Sequence, residues 1–548
     1  MTTNKTHIGR MIILFLLTTI SYGFFNAYLP ITDPVESNYV VSAMTMLQHN
    51  SWISPMIYNQ VWFDKPPLTY WALMICYKLF GLSDFVSRIP NTLIAATSVA
   101  AMYYIAYRLF KHTSVALISA IVLMSTLLFW YISHAIITDG FLFLFTLGIF
   151  TYGYKGMAEQ NYRAMNIAYI CAGLAVITKG PIGLILPGLI FILFTTIQNI
   201  LRRRDPVSSW QRQIALLFSP LGIVLFLAIA SPWYIAMYQL HGLDFINGFL
   251  GLHNIDRALV SEHPKFNIWY YYLLLMPIAL LPWTPILFHK LRHIKWTEPF
   301  HLFSALWCVS IILFYSLVAT KYITYTFLAI IPCILWIAQH IHTLLQKGQW
   351  KPIKRYVIIP LLLYGLIFLA GTSYDESLSS TPLGMAYTII LIITGIIWWK
   401  TNSIKRSPTP MQFILSILSI LCILYSAITV TVSPILTKQS GVQYMSFVKS
   451  HHGHIYIYGS YYTSIVYYTN ELPTSVFINS NDDPRWTKGK ALMPTITKDE
   501  FINHIIEDPT ALVIVPKKFK TDYENSMAAT VTKKIGANDS AIIYEGKK

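Results

Sequence analysis

Residues 85–109 read FVSRIPNTLIAATSVAAMYYIAYRL, and after a short basic turn residues 114–133 read SVALISAIVLMSTLLFWYIS. Each stretch has the roughly 15–25 mostly apolar residues that an α-helix needs to cross a bilayer. The same alternation of apolar stretch and polar turn recurs from about residue 8 to residue 433. It predicts an α-helical polytopic membrane protein with about 13 transmembrane helices. These spans lie near 8–29, 85–109, 114–133, 139–156, 164–178, 182–201, 213–233, 269–288, 301–319, 323–343, 354–372, 383–400 and 411–433.

The distribution of lysine and arginine predicts the orientation, because these residues mark cytoplasmic loops. With the N-terminus inside, 20 of the basic residues before residue 434 fall in inside segments. Seven fall outside, namely Lys65, Lys78, Arg88, Lys179, Arg257, Lys265 and Lys321. The odd number of spans then carries the segment after the last one to the outside. The formal net charge of +16 is explained by inside loops that face anionic lipid, and it does not indicate a nucleic-acid partner.

Carboxylates show the opposite distribution. Only Glu159, Asp205 and Glu298 fall inside before residue 434, whereas ten fall outside. The ten are Asp33, Glu36, Asp64, Asp84, Asp139, Asp244, Asp256, Glu262, Asp375 and Glu376. Because carboxylates contribute little to topology, this asymmetry needs another cause, and chemistry at the outer face is one candidate.

Two domains are predicted, a membrane domain over 1–433 and a small α/β domain over 434–548. The second is expected from short β-rich runs at 454–458, 475–478, 511–515 and 541–544, separated by polar or helical pieces such as 498–507. Within the membrane domain the first outside loop, 30–84, is the longest. It is expected to hold juxtamembrane helices near 37–48 and 66–82, the first lying along the interface.

Asp33 and Glu36 stand three residues apart just after the first span, so both carboxylates share one face if they open a helix. The alternative is a capping pair, in which Asp33 caps the helix and Glu36 makes the matching bond. Asp139 lies where a span re-enters the membrane, and an ionisable residue there indicates function. A helix N-cap is the alternative for Asp139 as well.

These motifs resemble those of a known family when they are taken in order along the chain. The ordered set is Asp33-x-x-Glu36, Asp64-Lys-Pro-Pro-Leu-x-Tyr-Trp71, Thr138-Asp139-Gly140, Thr178-Lys-Gly-Pro181, His253-Asn-Ile-Asp-Arg257 and Lys321-Tyr-Ile-Thr-Tyr325. It is similar to that of membrane glycosyltransferases with the GT-C fold. The greatest likeness is to 4-amino-4-deoxy-L-arabinose lipid A transferases and protein O-mannosyltransferase-type proteins. The resemblance covers about residues 8–335.

The resemblance implies a transferase that takes a sugar from a polyprenyl-phosphate donor at the outer face of the cytoplasmic (inner) membrane, with inversion. The acceptor would be lipid A or another envelope glycan or lipid, and no nucleotide cofactor is implied. The lipid phosphate would be the leaving group, and cationic side chains would stabilise its negative charge. The implied phosphate-binding residues are Lys65, Arg257, Lys321, Tyr325 and Lys179, with anchoring to lipid headgroups as the alternative for Lys179.

The resemblance also implies the acidic residues of the site and a metal. Asp33 would be the base that activates an acceptor hydroxyl, or an orienting group for an anionic acceptor, with Asp139 and Glu36 as further catalytic carboxylates. Asp64 and His253 match positions that look like ligands of a divalent metal, zinc or manganese. The chain departs from the family pattern at Ala258, where an aromatic residue is common, and this leaves the donor and acceptor open.

Two rival functions stay open on the sequence. A transporter or flippase of a lipid-linked sugar would also need many spans, but it should bury ionisable residues near the midplane and show repeat symmetry. Protein O-mannosylation is the rival within the enzyme class, because the acceptor cannot be read from these residues.

Overall fold

The protein is described here by a computed structural model. The structure describes residues 2–201, 210–349, 432–478 and 492–547, except residues 25, 297 and 452, together with isolated positions between 353 and 429. The chain divides into two compact units. Unit 1 comprises Met1–Asn26, Phe63–Thr69 and Arg88–Val430, and unit 2 comprises Ala27–Trp62, Tyr70–Ser87 and Thr431–Lys548.

The described residues of unit 1 form mainly apolar helices. In chain order they are α1 (Thr2–Gly23), α4 (Asp84–Phe110, mostly in this unit), α5 (Thr113–Met124), α6 (Leu127–His134), α7 (Asp139–Ala158), α8 (Tyr162–Lys179), α9 (Ile182–Leu201), α10 (Trp210–Leu217), α11 (Pro220–Phe245), α12 (Arg257–Leu259), α13 (Tyr271–Ala279), α14 (Thr284–Leu291), α15 (Pro299–Leu317) and α16 (Ile330–Gln346). A π-helix, Ile246–Asp256, joins α11 to α12.

Within the described residues, helices of spanning length occur at most of the predicted positions. Among the described residues seven helices are long and apolar enough to cross a membrane, or nine if each of two bent pairs is one span. The predicted span at 164–178 is the helix α8, which is not among the seven. The predicted spans at 354–372, 383–400 and most of 411–433 lie outside the described residues. The protein is therefore a multi-pass membrane protein.

The two bent pairs hydrogen-bond to each other. α5 and α6 bend by 60° at their junction, and α13 and α14 bend by 110° around Pro282. The Leu127 N–H donates to the Leu281 carbonyl at 3.0 Å, and the Trp283 indole donates to the Ser125 hydroxyl at 2.9 Å. Because hydrocarbon offers no partners for backbone groups that a break exposes, each break supplies partners for the other.

Unit 2 combines part of the first outside loop with the C-terminal segment. The loop supplies α2 (Val35–Gln48), a two-stranded hairpin of β1 (Met56–Ile57) and β2 (Gln60–Val61), and α3 (Leu68–Phe80, mostly in this unit). The two juxtamembrane helices expected near 37–48 and 66–82 are thus confirmed as helices. The first of these helices, α2, was expected to lie along the membrane interface, and its Val40, Val41 and Met44 side chains are buried in protein.

The C-terminal segment is an α/β domain, as predicted. Its elements are α17 (Met445–Val448), β3 (Ile455–Tyr458), α18 (Thr463–Thr469), β4 (Thr474–Val476), β5 (Thr495–Ile496), α19 (Lys498–Glu507), β6 (Leu512–Pro516), α20 (Lys520–Glu524), α21 (Ala528–Val531), β7 (Thr532–Ala537) and β8 (Ala541–Gly546). Among the described residues the sheet has six strands in the order β5-β4-β3-β6-β8-β7. Neighbours from β5 to β6 pair in parallel, whereas β8 pairs antiparallel with both β6 and β7.

The sheet is covered on both faces, which is why its central strands read as apolar runs rather than as alternating patterns. Tyr456 of β3 and Val513 of β6 pack in one core cluster, whereas Ile457 and Ile514 pack in the other. Four of the strands match the predicted runs. β5 has two residues and β7 is a lysine-bearing edge strand, so neither carries the apolar signal that identifies a strand.

Candidate functional site

In unit 1, helix ends bring together charges that are distant in sequence. α7 begins at Asp139, and α8, which follows it after a short turn, ends at Lys179. The return of α8 alongside α7 puts the Lys179 ammonium 2.7 Å from the Asp139 carboxylate, with both side chains largely buried. The same ammonium lies 5.3 Å from the centre of the Tyr325 ring, within cation–π range.

A second group of charges surrounds one carboxylate oxygen. Asp64 Oδ1 lies 2.7 Å from Lys65 Nζ, 3.0 Å from His253 Nδ1 and 3.6 Å from Arg257 Nη1. Arg257 Nε lies 3.2 Å from Glu262 Oε2, so the guanidinium lies between two carboxylates. We call Asp64, Lys65, His253, Arg257 and Glu262 the charge cluster.

Burial and charge oppose each other in the charge cluster. Burial would raise the pKa of Asp64, but Lys65, His253 and Arg257 together hold that pKa well below its usual value. Burial also lowers the pKa of Lys65, against the attraction of Asp64 and with the help of the neighbouring Arg257 charge. The Asp64 carboxylate is therefore firmly ionised, and the cations around it are only partly hydrated.

Two tyrosines extend the charge cluster toward the Asp139–Lys179 pair. The Tyr322 hydroxyl donates to Glu262 Oε2 at 2.9 Å. Tyr325 lies close enough to Arg257 and Asp139 for both charges to act on its hydroxyl. Burial raises the pKa of Tyr325, so its phenol stays protonated and can donate a hydrogen bond. The predicted residues Lys65, Arg257, Tyr325, Asp139 and Lys179 are thus neighbours in one polar region of unit 1.

Lys321 has a different environment from the other predicted phosphate-binding residues. Its ammonium donates to the carbonyls of Tyr315 at 3.2 Å and Ser316 at 2.7 Å, and also to that of Val318. These carbonyls belong to the last turn of α15 and its cap, where a cation is favoured. An ammonium has three donors, and all three are used here. Lys321 in this structure stabilises the end of α15.

The arrangement of Asp64 and His253 can be compared with the needs of a metal ion. A catalytic zinc site uses three protein ligands, and carboxylate plus imidazole supplies two. Among the residues that the structure describes, no three His, Cys, Asp and Glu side chains converge as metal ligands would. The oxygen of Asp64 that faces His253 already meets an ammonium and a guanidinium, which a dication would repel. These side chains do not by themselves fit a closed metal site.

Asp33 lies in unit 2, where its carboxylate contacts the start of α18. The backbone N–H of Ser464 donates to Asp33 Oδ1 at 2.9 Å, and the Ser464 hydroxyl donates to Oδ2. The backbone N–H of Asp33 donates in turn to the Gln439 carbonyl at 2.8 Å. Both the side chain and the backbone of Asp33 are therefore held by the C-terminal segment.

Glu36 does not form the capping pair with Asp33 that the sequence left open. Its Oε2 accepts from the backbone N–H of Thr32 at 3.1 Å and from the Thr32 hydroxyl at 2.8 Å. The N-cap residue of α2 is Pro34, and no side chain caps that position. Asp33 is thus free of the role of helix cap for α2, and Glu36 braces the turn that precedes the helix.

The surroundings of Asp33 bring its protonation equilibrium close to neutral pH. Burial raises the pKa of Asp33 to about 6, against hydrogen bonds from Ser464 and Ser37 that lower it. A general base works best when its pKa lies near the operating pH. The position of Asp33 therefore suits proton transfer better than an exposed carboxylate would.

Sequence reasoning missed several residues of these two regions. Glu262 and Tyr322 were visible only as an outside carboxylate and as part of the Lys321–Tyr325 motif. Ser464 gave no signal at all, because it is 431 residues from Asp33 and sits in a tyrosine-rich stretch with no catalytic pattern.

Comparison with known proteins identifies the fold and gives one family match. The chain has the GT-C fold, with a small sheet domain at its C-terminal end. The family described as "Dolichyl-phosphate-mannose-protein mannosyltransferase" matches residues 64–235, which include Asp64, Lys65, Asp139 and Lys179.

Two solved structures resemble this chain over almost its whole length. The crystal structure of ArnT from Cupriavidus metallidurans bound to undecaprenyl phosphate has a TM-score of 0.79, at 15% sequence identity over 98% of each chain. The apo structure of the same protein has a TM-score of 0.76 at 16% identity, also over 98% of each chain. These likenesses show the fold.

Curated relatives agree with the structural likeness. An undecaprenyl phosphate-alpha-4-amino-4-deoxy-L-arabinose arabinosyl transferase from Pectobacterium atrosepticum is 27% identical over 311 residues, 55% of this chain and 52% of that protein. A protein of the same description from Proteus mirabilis is 24% identical over 397 residues, 71% of this chain and 70% of that protein. The chain thus matches about half the length of the first of these relatives and rather more of the second.

Proposed function

We propose that the protein is a membrane glycosyltransferase that moves a sugar from a polyprenyl-phosphate donor to an envelope lipid, with lipid A as the favoured acceptor. The observation that supports this proposal is the polar region of unit 1, where Lys65, Arg257 and Lys179 lie close together beside the carboxylates of Asp64 and Asp139. Cations in that position suit a lipid phosphate whose tail lies in the bilayer. The names of the relatives support a pentosyl donor of the aminoarabinose kind.

The reaction places different demands on the two ends of the donor. The bond between the anomeric carbon and the phosphate oxygen breaks, and its electron pair leaves with the phosphate. Lys65, Arg257 and the Tyr325 hydroxyl would stabilise the charge that develops there. Arg257 suits this role because a guanidinium has five N–H donors, and its contacts with Asp64 and Glu262 leave others for an anion.

The acceptor oxygen attacks the opposite face of the sugar, so the proposed transfer inverts the anomeric carbon. Asp33 would take the proton of an acceptor hydroxyl, or orient an acceptor phosphate that carries no proton to lose. Asp139 would hold the Lys179 ammonium in place, and Glu36 would fix the chain before α2. Lys321 would act indirectly, through the end of α15.

The proposed membrane orientation rests on the distribution of lysine and arginine along the chain. The 20 inside and seven outside basic residues support a cytoplasmic N-terminus in the inner membrane. With that orientation the first loop and the C-terminal domain would be extracytoplasmic. A protease added outside sealed spheroplasts should then cut within residues 434–548. Cleavage in inverted vesicles only would contradict this topology.

The function is tested by transfer of label from the donor. Purified protein in liposomes receives envelope lipid extract and a polyprenyl-phosphate sugar labelled in the sugar. We expect label to move to a separable lipid with wild type and not with Asp33→Asn, which keeps the size of the side chain and loses the base. Label on protein would indicate a protein acceptor. Movement of intact donor between leaflets without covalent transfer would favour a flippase and overturn the proposal.

A further inference from the structure

The contact between α18 and Asp33 consists of directed hydrogen bonds from one residue of the helix. Ser464, the second residue of α18, is fully buried and gives both its backbone N–H and its hydroxyl to one carboxylate. The serine oxygen in turn accepts from the backbone N–H of Gly441 at 2.7 Å. Because that N–H occupies a lone pair of the oxygen, the hydroxyl proton is left to point at Asp33.

Neighbouring contacts fix the loop around this pair. The Ile31 N–H donates to the Tyr468 hydroxyl at 2.9 Å, and Tyr58 pairs with the Thr463 hydroxyl. Tyr468 also donates to the Asp84 carboxylate at 3.1 Å. α18 thus holds the first loop at several points on either side of Asp33, so the carboxylate has little freedom to rotate.

We propose that Ser464 is a positioning residue for the carboxylate of Asp33, which makes the C-terminal domain part of the catalytic apparatus. This inference rests on the proposed function, in which Asp33 is the base. A carboxylate offers about four lone-pair directions. Ser464 takes one on each oxygen, and Ser37 donates to the same carboxylate. The remaining directions are thereby fixed in space, as proton transfer to an acceptor in a defined pose requires.

Ser464 also influences the charge of Asp33. Burial favours the protonated acid, whereas hydrogen bonds to the charged form favour the carboxylate. Among the residues that the structure describes, the titratable groups that interact with the charge of Asp33 are the phenols of Tyr58, Tyr444, Tyr461 and Tyr462. Burial raises the pKa of all four phenols, so they remain neutral near pH 7. Removing the Ser464 hydroxyl should therefore raise the pKa of Asp33 further.

The test compares Ser464→Ala with Ser464→Thr, which keeps a hydroxyl, and with Ser450→Ala as the matched control. Ser450 is an exposed serine of the same domain that bonds only carbonyls of its own turn in the described structure. Steady-state transfer is measured between pH 5 and 9. For Ser464→Ala we expect kcat to fall roughly 10-fold or more with the donor KM little changed, as loss of a hydrogen bond to a charged group predicts.

The pH profile separates positioning from a merely structural role. For Ser464→Ala the acidic limb of kcat should move up by about one pH unit, because fewer hydrogen bonds stabilise the carboxylate. Ser464→Thr should restore both kcat and the limb, and Ser450→Ala should match wild type. If Ser464→Ala does not fold, Ser464→Cys, with a weaker donor, should show the same changes in smaller degree.

Three results would overturn the inference, each in a recognisable way. An unchanged limb and kcat in Ser464→Ala, with Asp33→Asn inactive, would remove Ser464 and leave the proposed function intact. Normal turnover by Asp33→Asn would remove Asp33 as the base and Ser464 with it. No transfer by wild type with any donor would refute the proposed function itself.

Discussion

Replacing Lys65 by methionine separates the phosphate-binding role of the charge cluster from its structural role. Methionine keeps the apolar stem and removes the ammonium that lies 2.7 Å from Asp64. Asp64 retains His253 and Arg257, so the loss of stability should be about 1–2 kcal/mol, less than the roughly 3–5 kcal/mol that follows loss of a sole buried partner. The loss at a bound phosphate should be about 1.5–3 kcal/mol for one charge-assisted hydrogen bond. That corresponds to a Kd for the lipid phosphate roughly 10- to 150-fold higher.

The assay is binding of undecaprenyl phosphate to the purified protein in nanodiscs, with the thermal unfolding midpoint measured alongside. Lys321→Met is the matched control, because its ammonium is spent on the carbonyls at the end of α15. We expect it to lower the unfolding midpoint while leaving the Kd within about twofold of wild type. A Lys65→Met protein that binds as wild type does, or a Lys321→Met protein that loses as much affinity, would refute the assignment of the phosphate to the charge cluster.

Three further outcomes follow from the structure. Because burial raises the pKa of Asp33 to about 6, its basic form increases as pH rises, and kcat should climb to a plateau with a midpoint near pH 6; a midpoint near 4 would contradict this. A double-mutant cycle with Asp139→Asn and Lys179→Met, read from unfolding free energies, should give a coupling of about 0.5–3 kcal/mol, and additive effects would show that the pair is not coupled. Gly183→Ala should lower the free energy of unfolding by about 1–3 kcal/mol through overpacking, because its Cβ would lie 2.8 Å from the Ala175 backbone and would push α9 from α8. An unchanged unfolding midpoint would rule out that close contact.

The sequence was sufficient for features that follow from one helix at a time. Apolar length predicts the spans, and polar residues at span ends predict which charges share a membrane face. Asp139 and Lys179 meet because each stands at the end of its own helix, and the short turn between α7 and α8 makes those ends neighbours. Four members of the charge cluster belong to the quoted motifs, and the structure brings these four, Asp64, Lys65, His253 and Arg257, close together.

Features that depend on the direction of a side chain could not be predicted in this way. Lys321 belongs to the same motif as Tyr325, yet its ammonium turns back onto α15 because the last carbonyls of that helix need donors. The capping alternative for Asp33 and Glu36 was reasonable from their spacing, but the N-cap residue of α2 is Pro34, and Asp33 accepts from Ser464 of the C-terminal segment. A pattern in one segment does not reveal a partner hundreds of residues away.

The pairing of Asp33 with Ser464 also has a consequence for how the protein is made. The two residues are 431 positions apart. At 5–20 residues per second the ribosome would need roughly 20–90 s between them, during which the first loop is already synthesised and its partner does not yet exist. During that interval Ile31, Asp33 and Tyr58 lack their later partners. This part of the molecule can therefore finish folding only after α18 has been synthesised. Premature termination between residue 433 and α18 would keep every predicted span and leave the Asp33 carboxylate without the hydrogen bonds of Ser464.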